Sequence, residues 1–350
     1  MTGILVALVV VLVFAIVFLA ARATELLGVL KGEGETTDSS NLTNSIILVS
    51  FLVLGLIAAL WSYLAYEDTY LLGGSASAHG VIIDQMFIWT SIICLIVFVV
   101  TQVLLFWFVF KYRSRQGHKA YFFSHDNKLE IVWTVIPAIV LTVLVAYGID
   151  TWYKITGTAP KEARVVEVTA QQFNWLVRYP GQDGKLGDRE FQLTSGDNTL
   201  GIDWKDAKSH DDFMPSEIHM EVGKPILFKL GAKDVLHSFY LPHFRVKMDC
   251  VPGIPTQFWF NPTITTDSMR ILKNNAKFDY ELACAELCGS SHWNMRFKVV
   301  VDSHEQYQKW LAEQQPIYKP EGSEDAPADS TKTGPAAPTE ASTHTSEVRH

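Results

Sequence analysis

The sequence predicts a protein of two parts, an α-helical membrane region at the N-terminal end and an all-β domain outside the membrane. Long uncharged apolar stretches are confined to residues 1–150, and helices of that kind cross bilayers. Short β-branched and aromatic runs, separated by turn signals, fill the region from about residue 160 to residue 315. The chain has 350 residues, of which 48% are hydrophobic, and this length leaves room for about two domains.

Four stretches are long enough and apolar enough to cross a membrane as helices. A helix of about 20 apolar residues spans the hydrocarbon core, and none of these stretches has the charged face of a helix at the surface of a soluble core. Pro137 is compatible with a membrane helix because neighbouring helices can satisfy the freed backbone groups. The stretches are residues 4–21, 46–66, 86–110 and 131–149.

Basic residues near the helix ends predict the orientation. Residues 22–45 carry Arg22 and Lys31, residues 67–85 carry no Lys or Arg, and residues 111–130 carry five basic side chains. The positive-inside rule therefore places 22–45 and 111–130 in the cytoplasm and places 67–85, with everything after residue 150, outside. We expect residues 1–22 to form a retained helix. A cleaved signal peptide is the alternative, but it would normally begin with a basic region.

The predicted β domain spans residues 159–315. Many short strands at close spacing are typical of a Greek-key sandwich or barrel. Within this domain, residues 181–214 are rich in Gly, Asp and Lys and are expected to form a surface excursion. The sequence Ser303-His304-Glu305-Gln306 has the form of a capping box and predicts a short helix. Pro, Ala, Ser and Thr dominate residues 316–350, which predicts a disordered tail.

The twelve residues from Cys284 to Met295 contain the most specific chemical signal in the chain. They hold two thiols, a carboxylate, an imidazole and a thioether on Cys284, Cys288, Glu286, His292 and Met295. Thiolates and thioethers are soft ligands that select copper over hard cations, and imidazole suits copper as well. A site with two thiolates requires a second imidazole, and His237 in an apolar run is the best candidate.

Other interpretations of the two thiols remain open at this point. They could form a disulfide, because the domain is expected to face an oxidising compartment. They could bind zinc, although structural zinc sites usually have a C-x2-C half-site, or they could be inert buried thiols. A mononuclear blue-copper site uses one Cys, so the second Cys points to two coppers bridged by two thiolates.

The pattern C-x-E-x-C-x3-H-x2-M, with D-V-L-H-S-F upstream, resembles the binuclear CuA centre of subunit II of the haem–copper cytochrome c oxidases. This resemblance implies a cupredoxin-like Greek-key domain. It also implies that Cys284 and Cys288 bridge the coppers, that His237 and His292 each cap one copper, and that Met295 and the backbone carbonyl of Glu286 are weak axial ligands. The Glu286 carboxylate would reach a magnesium ion shared with subunit I.

Three further segments resemble the same family. The run N-K-L-E-I-V-W-T-V-I-P-A implies that Glu130 lies at the entrance of a proton channel. The run A-Q-Q-F-N-W resembles the segment that receives electrons, with Phe173 in place of the usual Trp and with the second aromatic kept at Trp175. The run R-V-K-M-D-C-V-P-G implies that Lys247 and Asp249 face subunit I. Judged by spacing alone, Glu130 at the membrane edge and the charge pair of Lys247 and Asp249 would be ordinary solvated side chains.

The resemblance also divides the membrane region. Residues 86–150 correspond to the transmembrane hairpin of subunit II. Residues 1–22 and 23–85, which include the helix 46–66, are additions, as in oxidases associated with an alternative quinol-oxidising complex. None of the four predicted helices contains His, so haem and the oxygen-reducing copper site are expected in subunit I.

The expected function is electron transfer from cytochrome c, soluble or fixed in a supercomplex, to haem in subunit I, for reduction of oxygen to water coupled to proton translocation. Two alternatives are less favoured. A nitrous-oxide-reducing enzyme needs a second His-rich copper cluster, and a quinol oxidase subunit would lack the cysteines. The net charge of −8 argues against nucleic acid and permits a basic protein partner. The expected location is the bacterial inner membrane, in contact with lipid and the other oxidase subunits, with the copper domain on the periplasmic face.

Overall fold

The computed structural model describes residues 2–30, 38–70, 73–119 and 121–319. The chain forms two compact units. One contains Met1–Gly73 and Asp84–Ile149, and the other contains Gly74–Ile83 and Asp150–His350. Residues 320–350, which hold most of the predicted tail, lie outside the described residues.

Four long helices confirm the predicted membrane segments, and each is long and apolar enough to span a bilayer. All four are longer than the apolar stretches, because polar turns continue the helices at their ends. The Asp126 carboxylate begins the fourth helix by accepting hydrogen bonds from the backbone N–H groups of Lys128 and Leu129. The helices are α1 (Thr2–Leu30), α2 (Asp38–Tyr70), α3 (Ala78–Lys111) and α4 (Asn127–Thr156).

Nine strands form the outer domain as two sheets. The first sheet has the order β2-β1-β4-β7 and the second has the order β3-β9-β8-β5-β6. Aromatic and aliphatic side chains such as Phe228, Phe239 and Phe258 are fully or almost fully buried in its core. The strands are β1 (Arg164–Gln171), β2 (Asn174–Arg178), β3 (Ile218–Glu221), β4 (Ile226–Ala232), β5 (His237–Leu241), β6 (Val246–Cys250), β7 (Thr256–Phe260), β8 (Tyr280–Cys284) and β9 (Arg296–Asp302).

Two short helices complete the domain. Helix α5 (Thr266–Leu272) was not predicted from the sequence, and the hydroxyl of Thr265 caps it by accepting from the Ser268 N–H at 3.1 Å. Helix α6 (His304–Ala312) has the predicted capping box between Ser303 and Gln306. That prediction is confirmed.

Residues 181–214, called the excursion below, pack tightly against the edge of the first sheet. The buried Arg178 guanidinium contacts the carboxylates of Glu167 at 2.7 Å and Asp212 at 2.9 Å. Burial raises the pKa of Asp212 to about 6, although the Arg178 charge acts in the opposite direction. Leu200 and Ile202 of the excursion form a small apolar cluster with Leu176 of β2.

Residues 316–319 pack against the excursion, so the prediction of disorder does not hold for them. The Ile317 N–H donates to the Asp212 carbonyl at 2.8 Å. The Tyr318 ring stacks on His210 with 4.0 Å between ring centroids. These two side chains are large and apolar, unlike the composition that predicted the tail, and they supply the buried surface that ordering requires.

Candidate metal centre

Two neighbouring strands place the first pair of candidate ligands. His237 is the first residue of β5 and Cys284 is the last residue of β8. The strands pair so that Cys284 lies opposite Phe239, and His237 is two residues earlier on the same face. The Ala285 N–H donates to the Ser238 carbonyl at 3.0 Å. The sheet therefore brings together two residues that are far apart in the sequence.

The loop after β8 supplies the other candidate ligands. The Cys284 and Cys288 sulfurs are 3.9 Å apart. Each thiol has its own imidazole: His237 Nδ1 lies 3.8 Å from the Cys284 sulfur, and His292 Nδ1 lies 3.7 Å from the Cys288 sulfur. The structure thus brings two thiols and two imidazoles into one cluster.

Two weaker donors flank the thiols. The Met295 sulfur lies 3.8 Å from the Cys288 sulfur. The Glu286 carbonyl oxygen lies 3.2 Å from the Cys284 sulfur. His237 and Met295 are buried, with exposed fractions of 0% and 1%. Distances of 3.9 Å or less thus link all six sequence-predicted donors in one cluster, of which His237, Cys288 and Met295 are buried.

The donor set fits two soft metal ions better than one. Disulfide sulfurs are about 2.0 Å apart, so the 3.9 Å separation of Cys284 and Cys288 describes two free thiols. The ligand atoms of His237, Cys284 and Cys288 all lie within 4.8 Å of one another, and His292 is not part of this set. A closed structural zinc site with four protein ligands would need both imidazoles within one such set. An imidazole beside each thiol, with a thioether, suits copper.

Asp234 and Gln172 hold the ligands in place. The Asp234 carboxylate lies 2.9 Å from His237 Nε2, on the side of the ring opposite the thiol. The same carboxylate accepts the Gln172 N–H at 2.7 Å. The Gln172 side-chain amide donates to the Cys288 carbonyl. Such partners fix the orientation of a ligating ring and raise its basicity.

The Phe173 ring lies directly against the metal loop. A Cβ atom added to Gly289 would lie 2.8 Å from the Phe173 Cζ atom, and Gly289 has a φ of +142°. Only glycine allows the ring and the loop to approach so closely. Trp175 is almost fully buried, and its ring centroid is 6.3 Å from that of His237. Of the two aromatic residues, Phe173 is the one nearer the surface.

The other two thiols are not among the ligands described above. Cys250 is opposite His237 in the pairing of β5 with β6. Burial raises the pKa of its thiol to about 12, so it remains protonated as a neutral core side chain. Cys94 lies within α3, in the other unit.

Four residues for which the sequence predicts a role do not contribute their side chains to the cluster. Glu130 is an exposed residue of the first turn of α4. Lys247 and Asp249 are exposed on β6, and the Asp249 carboxylate accepts the Ser238 hydroxyl at 2.7 Å, beside His237. The Glu286 side chain is exposed and is not one of the donors described above, since the cluster contains only its carbonyl oxygen. The assigned roles of these four side chains remain predictions.

Sequence reasoning missed three residues that shape the site, namely Asp234, Gln172 and Gly289. Asp234 comes three residues before His237, and a carboxylate near a candidate histidine ligand is a signal that could have identified it. Gln172 and Gly289 act through contacts between distant segments, and no local pattern in the sequence marks them.

The fold and the cluster define this chain as a membrane-anchored protein with a cupredoxin-like copper-binding domain. Family profiles match two of its segments: the cytochrome c oxidase subunit II transmembrane domain at residues 68–150, and the periplasmic domain of the same subunit at residues 202–303. The chain belongs to the cytochrome c oxidase subunit II family and is a component of a haem–copper oxidase.

Two relatives agree with this assignment. The chain is 36% identical over 221 residues to the alternative cytochrome c oxidase subunit 2 of Bradyrhizobium diazoefficiens, covering 62% of this chain and 75% of the relative. It is 26% identical over 291 residues to cytochrome c oxidase subunit 2 of Thermostichus vulcanus, covering 76% and 85%. A solved periplasmic domain of subunit II of cytochrome oxidase from Bradyrhizobium japonicum has 24% identity and a TM-score of 0.30, covering 44% of this chain and 95% of that chain.

Proposed function

We propose that this chain receives electrons from a cytochrome c, soluble or fixed in a supercomplex, at a binuclear CuA centre in its outer domain and delivers them to haem in subunit I. The observation that carries this proposal is the arrangement of two thiols 3.9 Å apart, each with its own imidazole. Cys284, Cys288, His237 and His292 would hold the two coppers, with Met295 and the Glu286 carbonyl as weaker ligands.

When bound, the two coppers would supply one-electron transfer at this site. The protein has two tasks in this reaction. Its buried side chains exclude water, which also makes electrostatic interactions in the site stronger than they would be in solvent. The hydrogen bond that Asp234 accepts from His237 and the one that Gln172 donates to the loop hold the ligands in place, so that their positions change little with the charge on the site.

The remaining roles follow from the family. The Glu286 carboxylate holds a magnesium ion shared with subunit I, and its exposure leaves it accessible to a partner subunit. Lys247 and Asp249 face subunit I, Glu130 lies at the entrance of a proton channel, and Phe173, backed by Trp175, lies on the path of arriving electrons. The chain resides in the bacterial inner membrane with residues 159–315 in the periplasm, and oxygen is reduced to water in subunit I.

Electron paramagnetic resonance and copper analysis of the detergent-solubilised full-length chain, reconstituted with copper, test this proposal. We expect two coppers per chain and one unpaired electron shared over two equivalent nuclei. Cys284→Ser and Cys288→Ser should each abolish this signal, because a hydroxyl is a poor soft ligand. Exposed Cys94 provides a matched control, and Cys94→Ser should leave the signal unchanged. One copper with a single-nucleus spectrum, or zinc in its place, would contradict the proposal.

A further inference from the structure

The segment that joins α3 and α4 is strongly basic. Residues 111–128 carry five basic side chains against one carboxylate, whereas the whole chain has a net charge of −8. The one acid is Asp126, and its carboxylate is engaged in capping the start of α4. These residues are called the basic segment below. Its charge is therefore a local feature, opposite in sign to that of the chain.

Aromatic side chains are exposed within the basic segment. Tyr121, Phe122 and Phe123 follow one another and are 86%, 87% and 62% exposed. The ring centroids of Tyr121 and Phe123 are 6.2 Å apart. Tyr112, at the other end of the segment, is also exposed. Exposed apolar groups that occur together, rather than singly, mark an interaction surface.

Contacts with α2 hold the first half of the basic segment in place. The Asp38 carboxylate accepts the Gln116 N–H at 2.9 Å. The Asn41 side-chain amide donates to the Ser114 carbonyl at 3.3 Å. Gly117 has a φ of +78°, so the chain turns directly after these contacts. A segment fixed in this way loses less conformational entropy when it binds a partner.

Four of the five basic side chains are exposed, namely those of Lys111, Arg115, Lys119 and Lys128. Within the parts of the chain that the structure describes, none of the four forms an ion pair with a carboxylate. The Lys111 ammonium lies over the Tyr112 ring, 5.3 Å from its centroid, so cationic and aromatic groups are neighbours. The described residues therefore leave the positive charge of the segment uncompensated.

The position of the basic segment selects the membrane surface as its partner. The positive-inside rule places residues 111–130 on the cytoplasmic side. Phe123 lies four residues before Asn127, where α4 begins, and four residues of chain span at most about 14 Å. Aromatic side chains this near the end of a membrane helix are typical of the headgroup layer. In the cytoplasmic leaflet this layer carries anionic lipids, which attract Lys and Arg.

Other partners match less well. Residues 320–350 of the same chain carry six acids against two basic residues, but they follow the outer domain and are predicted on the other side of the membrane. A second copy of this chain would present the same positive charge. A soluble acidic protein would match the charge, but it would have to displace lipid from the aromatic side chains beside the helix end.

We propose that the basic segment binds the phosphate groups of anionic phospholipids in the cytoplasmic leaflet. Arg115 and Lys119 are the main charged contacts, because they are the two exposed basic residues that lie between the helices rather than within them. The rings of Tyr121, Phe122 and Phe123 insert among the headgroups beside them. This binding requires neither copper nor electron transfer, so it is independent of the proposed function.

The test uses the purified oxidase that contains this chain, in nanodiscs of phosphatidylcholine with increasing mole fractions of phosphatidylglycerol. Amide hydrogen exchange of residues 111–128 is measured by mass spectrometry. One variant is Arg115→Gln with Lys119→Gln, a second keeps the charge through Arg115→Lys with Lys119→Arg, and a third is Phe122→Ser. The matched control combines Lys224→Gln, Lys277→Gln and Ile271→Ala, which are exposed residues of the outer domain.

In the wild-type oxidase, phosphatidylglycerol should slow exchange of the basic segment, and about 1 M salt should remove this effect because the Debye length is then about 3 Å. The neutral variant should need at least about fivefold more phosphatidylglycerol for half of the effect, since one basic residue near the surface contributes about that factor. The charge-conserving variant and the matched control should resemble the wild type. Phe122→Ser should speed exchange at least about threefold in both lipids and at both salt concentrations, because a phenyl ring gains free energy on leaving water.

Unchanged helical circular dichroism of each variant shows that it is folded. Four results would overturn the inference. They are exchange in the wild type that does not depend on phosphatidylglycerol, an equal loss in the matched control, a charge-conserving variant that behaves like the neutral one, and equal slowing by inorganic phosphate added to pure phosphatidylcholine nanodiscs. The last result would mean that the segment binds free anions rather than the lipid surface.

Discussion

Replacing Gly289 by alanine tests the contact between the Phe173 ring and the metal loop. The new Cβ atom would lie 2.8 Å from Phe173 Cζ and 2.9 Å from the side-chain nitrogen of Gln172. Carbon atoms in favourable contact are about 3.5–4.0 Å apart, so the ring or the loop must move. The φ of +142° at this position is a conformation that alanine adopts only with strain.

These two effects set the expected magnitude. A strained backbone conformation costs about 1–3 kcal/mol, and overpacking costs about 1–3 kcal/mol. We therefore expect Gly289→Ala to destabilise the outer domain by about 2–6 kcal/mol, the sum of the two effects. Copper affinity should fall at least tenfold, because a loss of only about 1.4 kcal/mol in binding gives that factor and the altered loop carries Cys288 and His292.

Two controls separate the causes. Gly184 has a φ of +69° with nothing within 4 Å of an added Cβ atom, so Gly184→Ala should cost only about 1 kcal/mol and leave copper binding unchanged. The double variant Gly289→Ala with Phe173→Ala removes the collision but keeps the strained backbone. The collision predicts a negative coupling energy between the two sites in a double-mutant cycle.

The assay combines guanidinium unfolding of the detergent-solubilised chain, followed by tryptophan fluorescence, with competition for copper against a chelator. If Gly289→Ala resembled Gly184→Ala in both measurements, the Phe173 ring would not pack on the metal loop in solution. If the double variant were destabilised by as much as the sum of its two single variants, the strained backbone alone would be responsible for the effect of Gly289→Ala.

Four further changes have defined outcomes. Met295→Leu should leave both coppers bound but shift the reduction potential, because weak axial ligands tune such sites; loss of both coppers in metal analysis would contradict the axial role. Glu130→Ala should slow oxidase turnover without changing copper content, and an unchanged rate would make Glu130 an ordinary solvated acid. Arg178→Met should destabilise the outer domain by about 3–5 kcal/mol in denaturant unfolding, because it leaves the buried Asp212 carboxylate without its counter-charge; a loss below about 1 kcal/mol would contradict this role. Burial, together with the neighbouring Cys284 sulfur, raises the pKa of Cys288. Because copper must displace the proton of this thiol, the apparent copper affinity should fall as the pH is lowered and should rise as the pH approaches the raised pKa. Copper titrations at several pH values measure this dependence, and an affinity that does not change with pH would contradict a protonated thiol.

The candidate donors could be predicted because most of them lie within one short loop. The spacing from Cys284 to Met295 is visible in the sequence, and the residue types alone indicate soft-metal chemistry. His237 required the additional expectation that a β domain brings two loops together. The structure provides this through the pairing of β5 with β8.

Other features could not be predicted because they depend on packing between distant segments. The sequence does not indicate strand β6, because Lys247 and Asp249 interrupt its apolar pattern and charged residues have low strand propensity. Its position explains their presence: β6 is the edge of its sheet, and charges on edge strands discourage unwanted pairing. Similarly, the buried pair of Arg178 and Asp212 consists of residues that appear solvated when the sequence is read alone.

The arrangement of hydrogen bonds around the metal centre suits an electron carrier. The Cys284 N–H donates to the Met295 carbonyl at 3.1 Å, which closes the base of the metal loop. The Ala285 N–H bonds to β5 beside His237, and Asp234 joins that ring to the turn that bears Phe173. These bonds join protein groups to one another, so the protein itself sets the separations between the ligands. A site held in this way has little freedom to rearrange when its charge changes by one electron, and this is the property that rapid one-electron transfer requires.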